Sequence, residues 1–241
     1  MGVAIVLYLF HFGVMQLTMR IGMDADLLYI VERLRQRFPP LPPFPRLDPI
    51  SQLVKSLISS RTKDEVSWPT FWKLVGLYPQ WRQMMEAPVS DIERAIAQVT
   101  FAEDKAANLL LTLRGVAKEH PDFDLTFLGD MTVSDAHKWL QGLDGVAVKV
   151  AASTLNFSTL NRPSFVIDSH VLRVLQRYGL VSHAADSDKA YRAVMGAIPD
   201  WSAEQLIELH RLVKKLGQSW CQKWDVRCDE CPLAERCVRR I

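Results

Sequence analysis

Cys221, Cys228, Cys231 and Cys237 carry all the thiols of this 241-residue chain, in the pattern C-x6-C-x2-C-x5-C. Four thiolates so close in sequence can wrap one tetrahedral ion or one cubane cluster, and four soft sulfur ligands suit zinc or iron–sulfur. A structural zinc site usually shows two C-x2-C knuckles, whereas this loop has one, between Cys228 and Cys231. The apolar run at residues 3–10 stops at His11, with no basic residue before it and no cleavage site after it. It is also far shorter than the roughly twenty residues of a membrane span. The chain therefore reads as cytoplasmic, where clustered cysteines bind metal more often than they form disulfides.

A second group with chemical potential is LQGLDGVAVKVAAS, residues 140–153: a helix end, a tight turn around Gly142 and Gly145, then a new helix. Such a turn can present backbone N–H groups and a helix N-terminus to a phosphate. As a bare pattern it is also the common form of a plain corner. Lys149 falls in the first turn of the second helix, where a cation opposes the macrodipole. It is either a solvated phosphate contact or an amine whose pKa the helix end lowers, and a neutral lysine is a nucleophile. Further on, FVIDSHVLRVLQRYG, residues 165–179, sets Asp168 as the N-cap of a helix bearing Val171, Leu172 and Leu175. Capping alone accounts for that aspartate, and His170 reads as a hydrogen-bonding structural residue.

The elements that must hold these residues are helical. Asp24 can cap a helix whose apolar face is Leu27, Ile30, Val31, Leu34 and Phe38, and the prolines of residues 39–45 end it. Asp48 and Pro49 open a second helix carrying Leu53, Val54, Leu57 and Ile58. Residues 90–93, SDIE, read as a capping box. Helical periodicity recurs over 103–118, 133–141, 148–158, 169–178, 188–197 and 203–216, and Pro69 interrupts a helix expected over 64–75. Strand signals are confined to residues 165–167 and the N-terminal run. The expected fold class is all-α.

Charge is nearly balanced, 29 Lys+Arg against 27 Asp+Glu, so the whole-chain value points to neither nucleic acid nor membrane. Its distribution is uneven. Arg211, Lys214, Lys215, Lys223, Arg227, Arg236, Arg239 and Arg240 face only Asp225, Asp229, Glu230 and Glu235 in the last segment. That basic stretch is either a solvated terminus or a phosphate-facing patch. A hydrophobic content of 49% can bury a sizeable core. Met15, Met19 and Met23 are alternative starts, and residues 1–22 read as an N-terminal extension.

Taken in order, the glycine hairpin, Lys149, Asp168 and the four-cysteine loop resemble the endonuclease III family of the helix-hairpin-helix DNA glycosylase superfamily. Residues 143–151, LDGVAVKVA, match that family's L-P-G-V-G-x-K-T-A, and residues 167–170, IDSH, match its V-D-T-H. The cysteine spacing matches its iron–sulfur loop. SLISSRTKD (56–64) resembles its L-L-S-A-Q-A-T-D, and EDKAANLL (103–110) resembles its K-A-x-N-I helix. The likeness runs from Met23 to Cys237. Departures are Asp144 for the hairpin proline, Ala147 for its second glycine, Val148 and Val150 beside the lysine, Arg61 for a glutamine, and a longer connection over residues 120–137.

The resemblance implies two helical lobes: a six-helix barrel with the hairpin over 44–161, and a discontinuous lobe of 23–43 and 162–241 holding a [4Fe-4S] cluster on the four cysteines, with DNA in the cleft between them. It implies a monomeric bifunctional DNA glycosylase and AP lyase, acting on oxidised pyrimidines and abasic sites in double-stranded DNA, with no membrane partner. Lys149 would be the nucleophile and Asp168 the carboxylate that supports it. Arg61, Gly145, Ala147, Lys223 and Arg227 would contact DNA. Two other readings are a monofunctional mismatch glycosylase, which generally lacks a lysine at this position, and a non-catalytic iron–sulfur DNA-binding protein. The presence of both Lys149 and Asp168 argues against the second.

Overall fold

The structure, a computed structural model, describes residues 22–239. The N-terminal extension and its strand signal, residues 1–21, lie outside the described residues. The helices are α1 (22–37), α2 (Pro49–Ile58), α3 (Asp64–Leu77), α4 (Trp81–Glu86), α5 (Val89–Ala95), α6 (Ala102–Glu119), α7 (Val133–Gln141), α8 (Val148–Phe157), α9 (Ser169–Tyr178), α10 (Ser187–Ala197) and α11 (Ala203–Ser219). Among the described residues β-pairing is limited to isolated bridges, Leu47 with Ser158 and Cys221 with Val226. The fold is all-α. It divides into two compact units, one formed by the chain up to Pro43 together with the chain from Ile167 on, the other by Phe44–Val166.

The Phe44–Val166 unit is built around α2. Asp48 accepts from the Ser51 N–H at 3.0 Å, Pro49 fills the first turn, and every residue of the helix is buried. A helix buried all round belongs at a centre, and α2 packs against α3, α6 and α8. Pro69 does not interrupt α3, which runs through it. An internal proline costs about 3 kcal/mol, but Phe71 and Leu74 are fully buried by the continuing helix, and each such side chain contributes roughly 1.5–3 kcal/mol. Nor do residues 90–93 form a capping box. Pro88, with φ −59°, already sets the N-cap conformation, so α5 starts at Val89 and Ser90 lies inside its first turn. The connection after α6 turns through a 3-10 segment, Thr126–Gly129, and sends Phe123, Leu125 and Leu128 into the core.

In the other unit α1 buries Leu27, Ile30, Val31 and Leu34. Asp24 sits within this helix rather than capping it and accepts a hydrogen bond from Trp201 Nε1 at 3.0 Å. Helices α9 and α11 cross closely at Gly217, where an added Cβ would lie 3.0 Å from His170 Cβ and 3.2 Å from its carbonyl oxygen. Residues 165–167 form no strand: they are buried in the connection between α8 and α9, and their apolar character reflects that burial. Among the described residues no helix is long and apolar enough to cross a membrane.

Candidate functional site

In the Phe44–Val166 unit, α7 ends at Gly142, whose N–H donates to Lys138 O at 3.0 Å, and the chain turns at Leu143–Val146 through a 3.2 Å bond between its ends. Gly145 has φ +80°, and a Cβ there would fall 2.9 Å from Asn108 Cβ. Both the backbone conformation and the close approach of α6 therefore require glycine. The Thr112 hydroxyl, also on α6, donates to the Asp144 carbonyl at 2.6 Å. Ala147 is the N-cap of α8 and supplies no side-chain cap, and both Gly145 and Ala147 are exposed. Val148 and Val150 are buried in the core, which explains why apolar residues flank the lysine. Lys149 between them is half-buried, in the first turn of α8.

Lys105, which sequence reasoning did not single out, is buried on the same side of the unit. Its Nζ donates to Ile58 O at 2.8 Å, to Ser60 O at 2.6 Å and to Thr62 Oγ1 at 2.9 Å. Burial, then the positive charge of Lys149, lowers its pKa to about 8, so it is protonated at neutral pH. Arg61 sits in the turn that Lys105 holds. It is exposed, has φ +54°, and places its guanidinium 5.6 Å from the ring centre of Phe101, itself at φ +59°. Lys105, Asn108 and Thr112 recur at helical spacing beside the buried Ala106 and Leu109. A lysine on that apolar stripe is the signal that could have revealed it.

In the other unit Asp168 caps α9: its Oδ1 accepts from the N–H groups of His170 at 2.8 Å and Val171 at 2.9 Å. Burial pushes this carboxyl up, but His210, the Val171 N–H, Lys214 and His170 together more than offset it and hold its pKa below the usual carboxylate value. Arg173, one turn along, donates to Gly217 O and to Cys221 O, each at 2.8 Å, tying the start of α9 to the cysteine loop.

Cys221, Cys228, Cys231 and Cys237 line a single pocket with Arg177, Trp220, Val226, Ala234 and Arg239. Burial, with mutual repulsion from the other three sulfurs, pushes the Cys231 thiol up to about 11, and Cys237 is raised in the same way. Four thiolates there need compensating positive charge. Arg177 Nη1 lies 3.6 Å from Cys221 Sγ, and the Arg239 N–H donates to Cys237 Sγ at 3.4 Å. Among the described residues no three His, Cys, Asp or Glu side chains are gathered so as to hold a single metal ion. The loop exposes Lys223, whose Nζ sits 4.7 Å above the Trp224 ring. Arg227 turns back to Ser219 O at 2.6 Å and to Glu230 at 3.6 Å. Arg61, Gly145, Ala147 and Lys149 thus lie in one unit, and Asp168, the cysteines, Lys223 and Arg227 in the other.

Residues 54–200 match the family described as HhH-GPD superfamily base excision DNA repair protein. A protein of Arabidopsis thaliana named for DNA glycosylase activity is 29% identical over 190 residues, covering 75% of this chain and 64% of its own length. This chain thus spans less than two thirds of that relative. An endonuclease III of Synechocystis sp. is 28% identical over 191 residues, covering 78% of this chain and 80% of its own. Among solved structures, a non-covalent endonuclease III–DNA complex matches with a TM-score of 0.74 over 89% of this chain and 95% of that chain, at 19% identity. That last likeness is one of fold.

Proposed function

Because the chain belongs to the HhH-GPD superfamily of base excision DNA repair proteins, we propose that it is a bifunctional DNA glycosylase and AP lyase acting on damaged bases, oxidised pyrimidines among them, and abasic sites in double-stranded DNA. The observation that carries this reading is Lys149, half-buried in the first turn of α8 directly after the glycine turn. An amine can act there as a nucleophile, and exposed backbone at Gly145 and Ala147, with the helix N-terminus, can receive a phosphate.

A base within a duplex is out of reach, so the nucleotide must be flipped out at a cost of a few kcal/mol. Breaking the glycosidic bond develops positive charge on the sugar, which an ionised Asp168 is suited to stabilise. The Lys149 nitrogen forms a bond to C1′ as the bond from C1′ to the base breaks, and the base leaves with a proton. Opening of the sugar ring gives a Schiff base. Removal of a C2′ proton then expels the 3′ phosphate as the C3′–O bond breaks. Lys149 stands in the first turn of α8, close enough to Lys105 for the two charges to interact.

The cysteine pocket supports a [4Fe-4S] cluster as the resident group. Four thiols lining one cavity suit a group whose irons each take one thiolate. Bound there, the cluster would supply folding energy to the loop that displays Lys223. Borohydride trapping on a duplex with one abasic site tests the central reading. Wild type should form a covalent adduct and nick the strand, and Lys149→Ala should do neither. An adduct formed by Lys149→Ala at the wild-type rate would refute the assignment.

A further inference from the structure

Two exposed side chains, Arg61 and Phe101, stand side by side on residues whose backbones are both in the left-handed region. Neither is glycine, so each conformation persists only if its surroundings impose it. At Arg61 the Lys105 side chain does so. The Lys105 side chain donates to the carbonyls of Ile58 and Ser60 and to the hydroxyl of Thr62, bracketing Arg61. Phe101 is the N-cap of α6, and its carbonyl accepts the first bond of that helix, from the Lys105 N–H at 3.1 Å. Thr62 closes the link by accepting from the Thr100 N–H at 3.1 Å.

The charge matters as much as the geometry. Ile58 is the last residue of α2, whose final carbonyls carry the negative end of the helix dipole and have no partner within the helix. A buried ammonium with three acceptors meets that need, and a neutral side chain of the same length would take its charged donor away from the Ile58 and Ser60 carbonyls. We propose that Lys105 is a positioning residue: its buried ammonium fixes the Ser60–Thr62 turn and so delivers the Arg61 guanidinium, beside Phe101, to DNA. The inference rests on the DNA-repair reading above, and it assigns no contact with DNA to Lys105 itself.

A positioning role acts through Arg61, so a double-mutant cycle isolates it. Binding would be measured by fluorescence anisotropy on a duplex bearing a stable abasic-site analogue, for wild type, Lys105→Met, Arg61→Ala and the double variant. Coupled neighbours deviate from additivity. Lys105→Met should weaken binding about five- to tenfold in the wild-type background and less than about twofold once Arg61 is alanine. Thr62→Val removes one of the three acceptors without touching the ammonium, and should show the same dependence on Arg61 even if Lys105→Met proves too unstable to purify. Equal losses in both backgrounds, or no loss for either variant, would overturn the inference and leave the repair function standing. A wild-type protein that does not bind the duplex would instead overturn the repair reading itself.

Discussion

The Thr112 hydroxyl lies 2.6 Å from the Asp144 carbonyl oxygen and 2.8 Å from that of Asn108, so it fastens the hairpin turn to α6. Thr112→Val keeps the shape but leaves the Asp144 carbonyl without its donor. A lost partner of this kind costs about 1–3 kcal/mol. The variant should melt at a lower temperature and bind abasic duplex more weakly, with the cysteine loop unaffected. Calorimetry and anisotropy on the same preparation check both.

Gly217→Ala should destabilise the crossing of α9 and α11. The new Cβ meets His170 backbone and Cβ atoms at 3.0–3.2 Å, neither of which is the loose end of a side chain. Overpacking at such a site costs about 1–3 kcal/mol. Because His170 lies two residues after Asp168, turnover should fall along with stability, as single-turnover kinetics would reveal.

Asp168→Asn separates charge from capping, since asparagine caps about as well as aspartate. The folded-state pKa of Asp168 is depressed, so its ionisation contributes stability that is present above the unfolded pKa, about 3.9, and is lost as pH falls through the lower folded value. The melting-temperature difference between wild type and Asp168→Asn should therefore be full above about pH 5 and narrow as pH falls below about 4. A difference that widens on acidification would contradict the ionised carboxylate.

Purified protein should be brown and carry about four iron and four sulfide per chain. Replacing any one of the four cysteines by serine should lower the iron content and the melting temperature of the unit containing α9 and α11, because metal-binding energy is folding energy in such loops. Stoichiometric zinc without sulfide would exclude the cluster.

Arg61 offers only donors, so as a reader of an orphaned base it should favour guanine, which presents O6 and N7. Such a pair discriminates by about 1–3 kcal/mol. Excision of one lesion opposite each of the four bases should be fastest opposite guanine, and Arg61→Gln should flatten the series. If Arg61 only touches a phosphate, Arg61→Gln would instead weaken binding uniformly and reduce the salt slope by roughly one.

The elements that carry these residues were readable where local rules and tertiary demands agree. Periodicity and caps place α7 and α9 at their observed bounds, and Asp48 and Asp168 are both caps as their positions predict. The misreadings at Pro69 and at residues 90–93 share one cause: a local signal yields where burial of Phe71 and Leu74, or a proline already at the right φ, decides the helix. The family motifs led to the cysteine loop and Lys149 and took in Lys105 and Asn108 within EDKAANLL without giving them a role, while Thr112 fell outside them. Their importance lies in what they touch from the far side of the chain, on residues 58–62 and 144–145, and no local pattern encodes such contacts.

The unit that contains α1 is assembled from distant parts of the chain. Arg35 is bonded to Glu208, Trp201 to Asp24, and Phe38 packs on Trp220, so these contacts of α1 cannot all form until the ribosome has passed residue 220. At about 5–20 residues per second, α1 waits on the order of ten seconds or more for these partners, while the Phe44–Val166 unit can already close. Nascent chains stalled before α11 should accordingly display a sticky amphipathic helix ahead of a folded Phe44–Val166 unit, and chaperone demand during synthesis should fall on that one helix.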